Sequence, residues 1–112
     1  MADPQITLPL LPPEEALRAC AFAPFREGVE IFWIREGSPA LALLRYAPGA
    51  GVPRHRHVGL ETILVLEGAQ SDEAGRYGAG QLVVNQPGSE HSVWSDEGCL
   101  VLIQWEKPVA FV

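Results

Sequence analysis

Cysteine is scarce in this chain: two in 112 residues, Cys20 and Cys99. They form no Cys-x-x-Cys pair, which excludes a zinc finger and a thioredoxin-type redox motif. A single disulfide is open to them, but the ordinary reading is two buried thiols in a reducing cytosol. Basic residues are few as well. Eight stand against fourteen acids, giving a formal charge of −6 and a pI near 4.9. That balance argues against nucleic acid as a main partner, because phosphate binding draws on a basic surface or stripe. Arg54 and Arg56 are the nearest thing to a basic run, and they read as a solvated strand edge. No apolar stretch approaches the length of a membrane span, and Met1-Ala2-Asp3-Pro4 lacks the basic-then-apolar pattern of a leader. The expectation is a cytoplasmic protein with no membrane or nucleic-acid partner.

Glycine and proline, by contrast, are plentiful, with eleven and ten residues. Short runs of Val, Ile, Leu and aromatics lie between them, the pattern of many brief strands joined by tight turns in a sandwich or barrel. Strands are expected over Val29 to Arg35, Ala40 to Tyr46, Val52 to Val58, Glu61 to Leu66, Gln81 to Asn85, Glu90 to Ser95 and Cys99 to Glu106. Glu67-Gly68, Ser71 to Gly75 and Gly78-Ala79-Gly80 read as turns. Ahead of the strands, Ile6 to Leu10 suggests an extended arm. Pro12 to Ala19 suggests a short N-terminal helix, with proline in its first turn and Glu14 and Glu15 at the positive end of its dipole. The chain therefore divides into an arm and helix over 1–24 and a single barrel over 25–112.

Two expected strands are apolar on both faces. Ile63 and Val65 alternate with Leu64 and Leu66; Leu100 and Leu102 alternate with Val101 and Ile103. A strand with one wet face should alternate apolar with polar. Both faces here need cover. A barrel interior supplies one, and a second copy in a homodimer would supply the other.

Histidine is the residue with the most informative placing. The chain has three, His55, His57 and His91. Side chains two apart on a strand share a face, so His55 and His57 can converge on one ion. Val58-Gly59-Leu60 provides a bend that lets Glu61 enter the same cavity, and His91 follows the turn Pro87-Gly88-Ser89. Imidazole and carboxylate suit first-row divalent metals, Zn, Fe, Mn, Ni, Co and Cu alike. Three neutral histidines and one carboxylate leave coordination positions open, as a catalytic or sensing metal requires.

The spacing of these residues resembles the cupin family. Its first motif is Gly, five residues, His-x-His, three or four residues, Glu, six residues, Gly. The chain reads Gly49, five residues, His55-Arg56-His57, three residues, Glu61, six residues, Gly68. The second motif is Gly, five residues, Pro-x-Gly, two residues, His, three residues, Asn. The chain reads Gly80, five residues, Gln86-Pro87-Gly88, two residues, His91, three residues, Ser95. Proline falls one place late and Ser95 replaces Asn, but neither position is a ligand. Within the cupins, Leu44-Arg45-Tyr46-Ala47-Pro48-Gly49, Leu66-Glu67-Gly68, Ser71-Asp72-Glu73 and Glu97-Gly98-Cys99 are similar to the ChrR-like group. The resemblance, covering roughly Phe25 to Val109, implies an all-β jelly-roll barrel holding one divalent metal ion through His55, His57, Glu61 and His91, with Zn favoured by the ChrR-like likeness and Fe by an enzymatic role.

The resemblance implies two functions. One is a metal-dependent oxygenase acting on a small organic molecule in the barrel. The other is a non-catalytic sensor or binding module, related to the cupin half of zinc-dependent anti-sigma factors. Such factors also carry an N-terminal zinc-binding helical domain, which these 112 residues do not contain, so that role is not carried over. The stand-alone barrel tilts toward the enzyme. Glu61 has an alternative reading as an ion-pair partner of Arg54 or Arg56. Trp33, Trp94 and Trp105 are expected in the core. One of Arg45 and Tyr46 should face the cavity, and Cys99 is expected to pack. Asp72, Glu73, Asp96 and Glu97 are expected at solvated turns.

Overall fold

The computed structural model describes residues 5–112; Met1-Ala2-Asp3-Pro4, read above for a leader, lies outside them. The elements are α1 (Pro13–Ala19), β1 (Ala23–Arg26), β2 (Val29–Arg35), β3 (Ala40–Tyr46), β4 (Gly51–Arg56), β5 (Glu61–Asp72), β6 (Gly75–Gly78), β7 (Leu82–Asn85), β8 (Glu90–Trp94), β9 (Cys99–Trp105) and β10 (Ala110–Phe111). They form one curled antiparallel sheet in the order β1-β2-β3-β9-β5-β8-β4-β10, with β6 and β7 also paired to β5. This is a jelly-roll barrel with one short helix.

Strand β5 is the axis of the barrel. Its first half pairs with β9 on one side and β7 on the other; its last residues pair with β6 and β8. The expected strand ended at Leu66, whereas β5 runs on to Asp72 through a shift of register between Val65 and Glu67. A bulge of this kind bends the strand and lets it pass from one wall to the other. It also changes which side chains point inward. Ile63 and Val65 enter the barrel core before the bulge, and Gln70 borders the cavity after it. The motif glycine Gly68 sits just past the bulge at φ +74°, where a Cβ would come 2.1 Å from the Gly98 carbonyl oxygen. Only glycine lets these two chains approach so closely.

The barrel interior is built from Val29, Ile31, Ala42, Leu44, Tyr46, Ile63, Val65, Cys99, Val101 and Ile103. The outer face of the same strands forms a second apolar cluster. Leu43, Leu66 and Leu100 are buried there beneath Ala16 and Cys20, with Leu8, Leu10 and Leu17 packed alongside. The chain's own arm and helix therefore cover much of the outer face, where the sequence suggested a second subunit. Helix α1 has proline in its first turn, Glu14 and Glu15 beside it and Arg18 in its last turn, as dipole and capping preferences favour. Cys20 and Cys99 are both free and buried, each in a different cluster. Among the described residues, no helix is long and apolar enough to cross a membrane.

Candidate metal centre

Strand β4 carries His55, which registers directly against His91 of β8. His57 lies one residue past the end of β4, yet its backbone stays tied to the turn before β8. Its N–H donates to the Ser89 carbonyl at 2.9 Å, and its own carbonyl accepts from Gly88 N–H at 2.7 Å. The turn that follows the Pro-Gly of the second motif thus clamps the first motif. The three imidazoles stand edge to face, with ring centroids 4.6 to 5.1 Å apart. One nitrogen from each ring falls within 4.8 Å of the other two, and all three residues are buried.

Hydrogen bonding settles which nitrogens face the centre. His55 Nδ1–H donates to the Pro53 carbonyl at 2.8 Å. His57 Nδ1–H donates to Ser89, to the carbonyl at 3.0 Å and to Oγ at 2.9 Å. Ser89 Oγ–H is itself committed to the Gln86 carbonyl at 2.6 Å, so toward His57 it accepts. His91 Nδ1–H donates to Asp72 Oδ2 at 3.0 Å. A carbonyl or carboxylate only accepts, so all three rings carry their proton on Nδ1 and present an Nε2 lone pair. Outer hydrogen bonds of this type are what orient imidazole ligands around a metal.

Glu61 opens β5 beside the trio. Its Oε1 accepts from Asn85 Nδ2 at 3.1 Å and lies 3.4 Å from His57 Nε2. The His57 side chain is 1% exposed, and its buried Nε2 has no hydrogen-bond partner. A buried polar atom without a partner is rare and calls for an explanation. A metal ion supplies one. Two ligand atoms each about 2.0–2.1 Å from a tetrahedral ion lie roughly 3.4 Å apart. The donor set thus suits a divalent ion on its unpaired nitrogen, its tautomers and the separation of His57 from Glu61. Arg54 pairs with Glu90 at 3.3 Å, and among the described residues no ion pair joins Arg56 to Glu61.

The electrostatics separate the two motif histidines. Burial and the neighbouring imidazoles hold the His55 pKa below its ordinary value, against the pull of the Pro53 carbonyl and Glu61. For His57, burial acts in the same direction, but the Glu61 carboxylate and the Ser89 carbonyl outweigh it and the pKa is raised. Around Asp72, burial opposes ionisation. Hydrogen bonds from His91, Tyr77 and the Ala74 backbone overcome that penalty and hold the carboxyl below its usual range.

Beside the trio lies a cavity of about 460 Å³, bordered by His55, His91 and Glu61. Its walls are largely apolar, with Leu44, Val52, Ile63, Val93 and Ile103 among them. Of the Arg45-Tyr46 pair, Tyr46 faces this cavity. Burial, reinforced by Cys99 and Glu61 nearby, raises its pKa so that the phenol stays protonated. Arg45 turns outward, bonding Glu30 at 2.6 and 3.0 Å and lying over the Phe22 ring.

Two expectations need correction. Trp33, expected in the core, borders the cavity instead, while Trp105 lines the cavity and packs against the barrel core as well. Their rings sit 5.8 Å apart with Phe25 packed against both, and Trp33 is 39% exposed. Trp33 lies two residues before the end of β2 and Trp105 is the last residue of β9. Asp72, expected at a solvated turn, has a side chain only 9% exposed and is bonded to His91 and to Tyr77 Oη. The turn comes later, at residues 73–74, because β5 is longer than its apolar run. The Ser-Asp-Glu phrase was visible in the sequence, but nothing local linked it to His91, nineteen residues on.

Comparison with known proteins bears on the family and the fold. The family model for the ChrR cupin-like domain matches residues 16–108. The anti-sigma-E factor ChrR of Cereibacter sphaeroides is 38% identical over 87 residues, 75% of this chain and 41% of that protein. The chain thus spans about two fifths of the curated relative's length. A chain in the crystal structure of Rhodobacter sphaeroides SigE in complex with the anti-sigma ChrR superposes with a TM-score of 0.73 and 32% identity, over 80% of this chain and 51% of that one. The acetylacetone dioxygenase of Acinetobacter johnsonii superposes with a TM-score of 0.79 over all of this chain and 79% of its own, at 14% identity, which speaks to fold alone. With the barrel, the three convergent histidines and a match spanning most of its length, the chain belongs to the ChrR cupin-like family.

Proposed function

We propose that the protein binds one divalent metal ion through His55, His57, His91 and Glu61 and acts as an oxygenase on a small organic molecule held in the barrel. The observation that carries this reading is the convergence of three Nε2 lone pairs, every Nδ1 being occupied, beside a cavity with room for a ligand. The ion, Zn or Fe before Mn, Ni, Co or Cu, supplies Lewis-acid chemistry or, if iron, redox chemistry. The chain's own residues do the rest. Leu44, Ile63 and Ile103 exclude water and favour an apolar body. The protonated Tyr46 hydroxyl offers a donor to an oxygen of the ligand. Ligands of this class are compact, mostly apolar and oxygen-bearing. Oxygen uptake by iron-loaded protein, measured across diketones, phenols and thiols, tests the reading. Turnover that disappears in His91→Ala with the fold intact is the expected result; no uptake with any class refutes the oxygenase.

A second reading is supported by the likeness to ChrR, whose solved structure is a complex with SigE. In it the barrel is a metal-dependent binding module that answers a small ligand by changing its hold on a protein partner. Tight capture of one sigma factor, altered by zinc removal, together with absent turnover, would favour it.

We also propose a homodimer. Leu82 and Val84 on β7 are 61% and 48% exposed, and among the described residues β7 pairs only with β5. An open strand with apolar side chains invites a second copy. Light scattering at micromolar concentration decides: a dimer mass that falls to a monomer in Leu82→Lys is expected, and a monomer mass for the wild type refutes it.

A further inference from the structure

Asp72 stands at the far end of β5 from Glu61, outside both histidine motifs. Its two oxygens have separate partners. Oδ1 accepts from Ala74 N–H at 2.9 Å, Gly75 N–H at 3.1 Å and Tyr77 Oη–H at 2.8 Å. Oδ2 accepts from His91 Nδ1–H at 3.0 Å. Three donors on one oxygen fix the rotation of the carboxylate, so the other oxygen is aimed at His91. His55 and His57 have backbone carbonyls in this role, which no substitution removes. For His91 it rests on a side chain.

We infer that Asp72 is a positioning residue for the metal centre: its carboxylate holds His91 in the Nδ1–H tautomer and so keeps Nε2 open to the ion. This rests on the metal-site reading proposed above. The geometry makes Asp72→Asn a sharper probe than a truncation. The amide oxygen of asparagine satisfies the three donors at the Oδ1 position, which leaves its NH₂ facing His91 Nδ1. Two donors then oppose each other, and the imidazole relieves this by carrying its proton on Nε2 instead. A ring in that tautomer has no lone pair for the ion. Tyr77→Phe removes one donor from Oδ1 but leaves the bond to His91 in place.

Two measurements test the inference. Long-range ¹H–¹⁵N NMR of metal-free protein, at a pH where His91 is neutral, reads the tautomer directly. Nδ1–H is expected in the wild type and in Tyr77→Phe, and Nε2–H in Asp72→Asn. A wild-type His91 protonated on Nε2 overturns the inference without any variant. Chelator competition then reads zinc affinity. A fall of about 10- to 100-fold is expected for Asp72→Asn, with melting temperature close to wild type, and a change within a few-fold for Tyr77→Phe. A wild type that takes up zinc beside an Asp72→Asn variant of equal affinity overturns this inference and leaves the metal site standing. A wild type that binds no zinc overturns both.

Discussion

His57 Nδ1 has two acceptors from the single residue Ser89, the carbonyl at 3.0 Å and Oγ at 2.9 Å. The redundancy has a measurable consequence. Ser89→Ala removes the hydroxyl and leaves the carbonyl, so the ring keeps its orientation. Metal affinity by chelator competition should stay within about tenfold of wild type, below the usual loss for removing an outer-shell partner. His57→Ala should lose the metal altogether, read as metal content of the purified protein. Equal content in wild type and His57→Ala would rule out the centre.

Glu61→Gln keeps the size of the side chain and its bond to Asn85 but removes the charge. If Glu61 is a ligand, affinity should drop by more than about tenfold, roughly 1.4 kcal/mol. Unchanged affinity would leave three histidines as the whole protein contribution. Titration of zinc into both proteins against one chelator settles the point.

Acid should release the metal, and early. Ligating imidazoles must be neutral, so protons compete with the ion. The His57 pKa is raised by the Glu61 carboxylate and the Ser89 carbonyl acting against burial. Competition therefore begins above the ordinary imidazole range of about 6.5 as pH falls. The lowered His55 pKa delays its own share to more acid conditions. Zinc affinity measured from pH 8 down to pH 5 should decline across the whole interval. A flat profile would contradict imidazole ligation.

Cys99 should resist thiol reagents. Burial pushes its pKa from 9.0 up to about 11, so the thiolate is rare in the folded state at pH 8. A group whose folded pKa is raised stabilises the fold fully below its unfolded value. That contribution is lost as pH climbs through the folded value, here between about 9 and 11. Labelling of Cys99 by Ellman's reagent should track unfolding, and the melting temperature should fall over that alkaline window by less in Cys99→Ala.

Leu43 tests the outer cluster. It is fully buried between the sheet and helix α1. Leu43→Ala should cost about 2–5 kcal/mol by lost burial and a cavity, lowering Tm by on the order of 10 °C or more. Zinc affinity should change little, because the side chain lies on the opposite face of β3 from Leu44 and Tyr46 of the barrel core. A melting temperature unchanged from wild type would mean that the helix does not seal this face.

Much of the architecture was legible because period-two patterning and turn residues report on strands directly. Val29–Arg35 and Ala40–Tyr46 agree with the expected strands to the residue. The alternation that showed two apolar faces on β5 and β9 was also sound, but which object covers the outer face is a tertiary fact. Leu8, Leu10 and Leu17 carry little signal of their own and gain meaning only once docked. Asp72 was hidden for a different reason. The strand was expected to end at Glu67-Gly68, so the bulge there, and the inward direction it gives to later side chains, could not be read. The histidine trio was visible through its spacing, while the acceptors that orient it, Pro53, Ser89 and Asp72, are contributed by a backbone path and a strand pairing that no local pattern encodes.

Strand β5 is hydrogen-bonded to β6, β7, β8 and β9 and holds Glu61 at one end and Asp72 at the other. Its central amides should be among the slowest in the molecule to exchange with deuterium, because exposing them means dismantling both walls together. An ion held with help from both ends of such a strand would add its binding energy to the stability of the whole cooperative unit, so zinc should raise the melting temperature of the barrel and a chelator should return it to that of the metal-free fold.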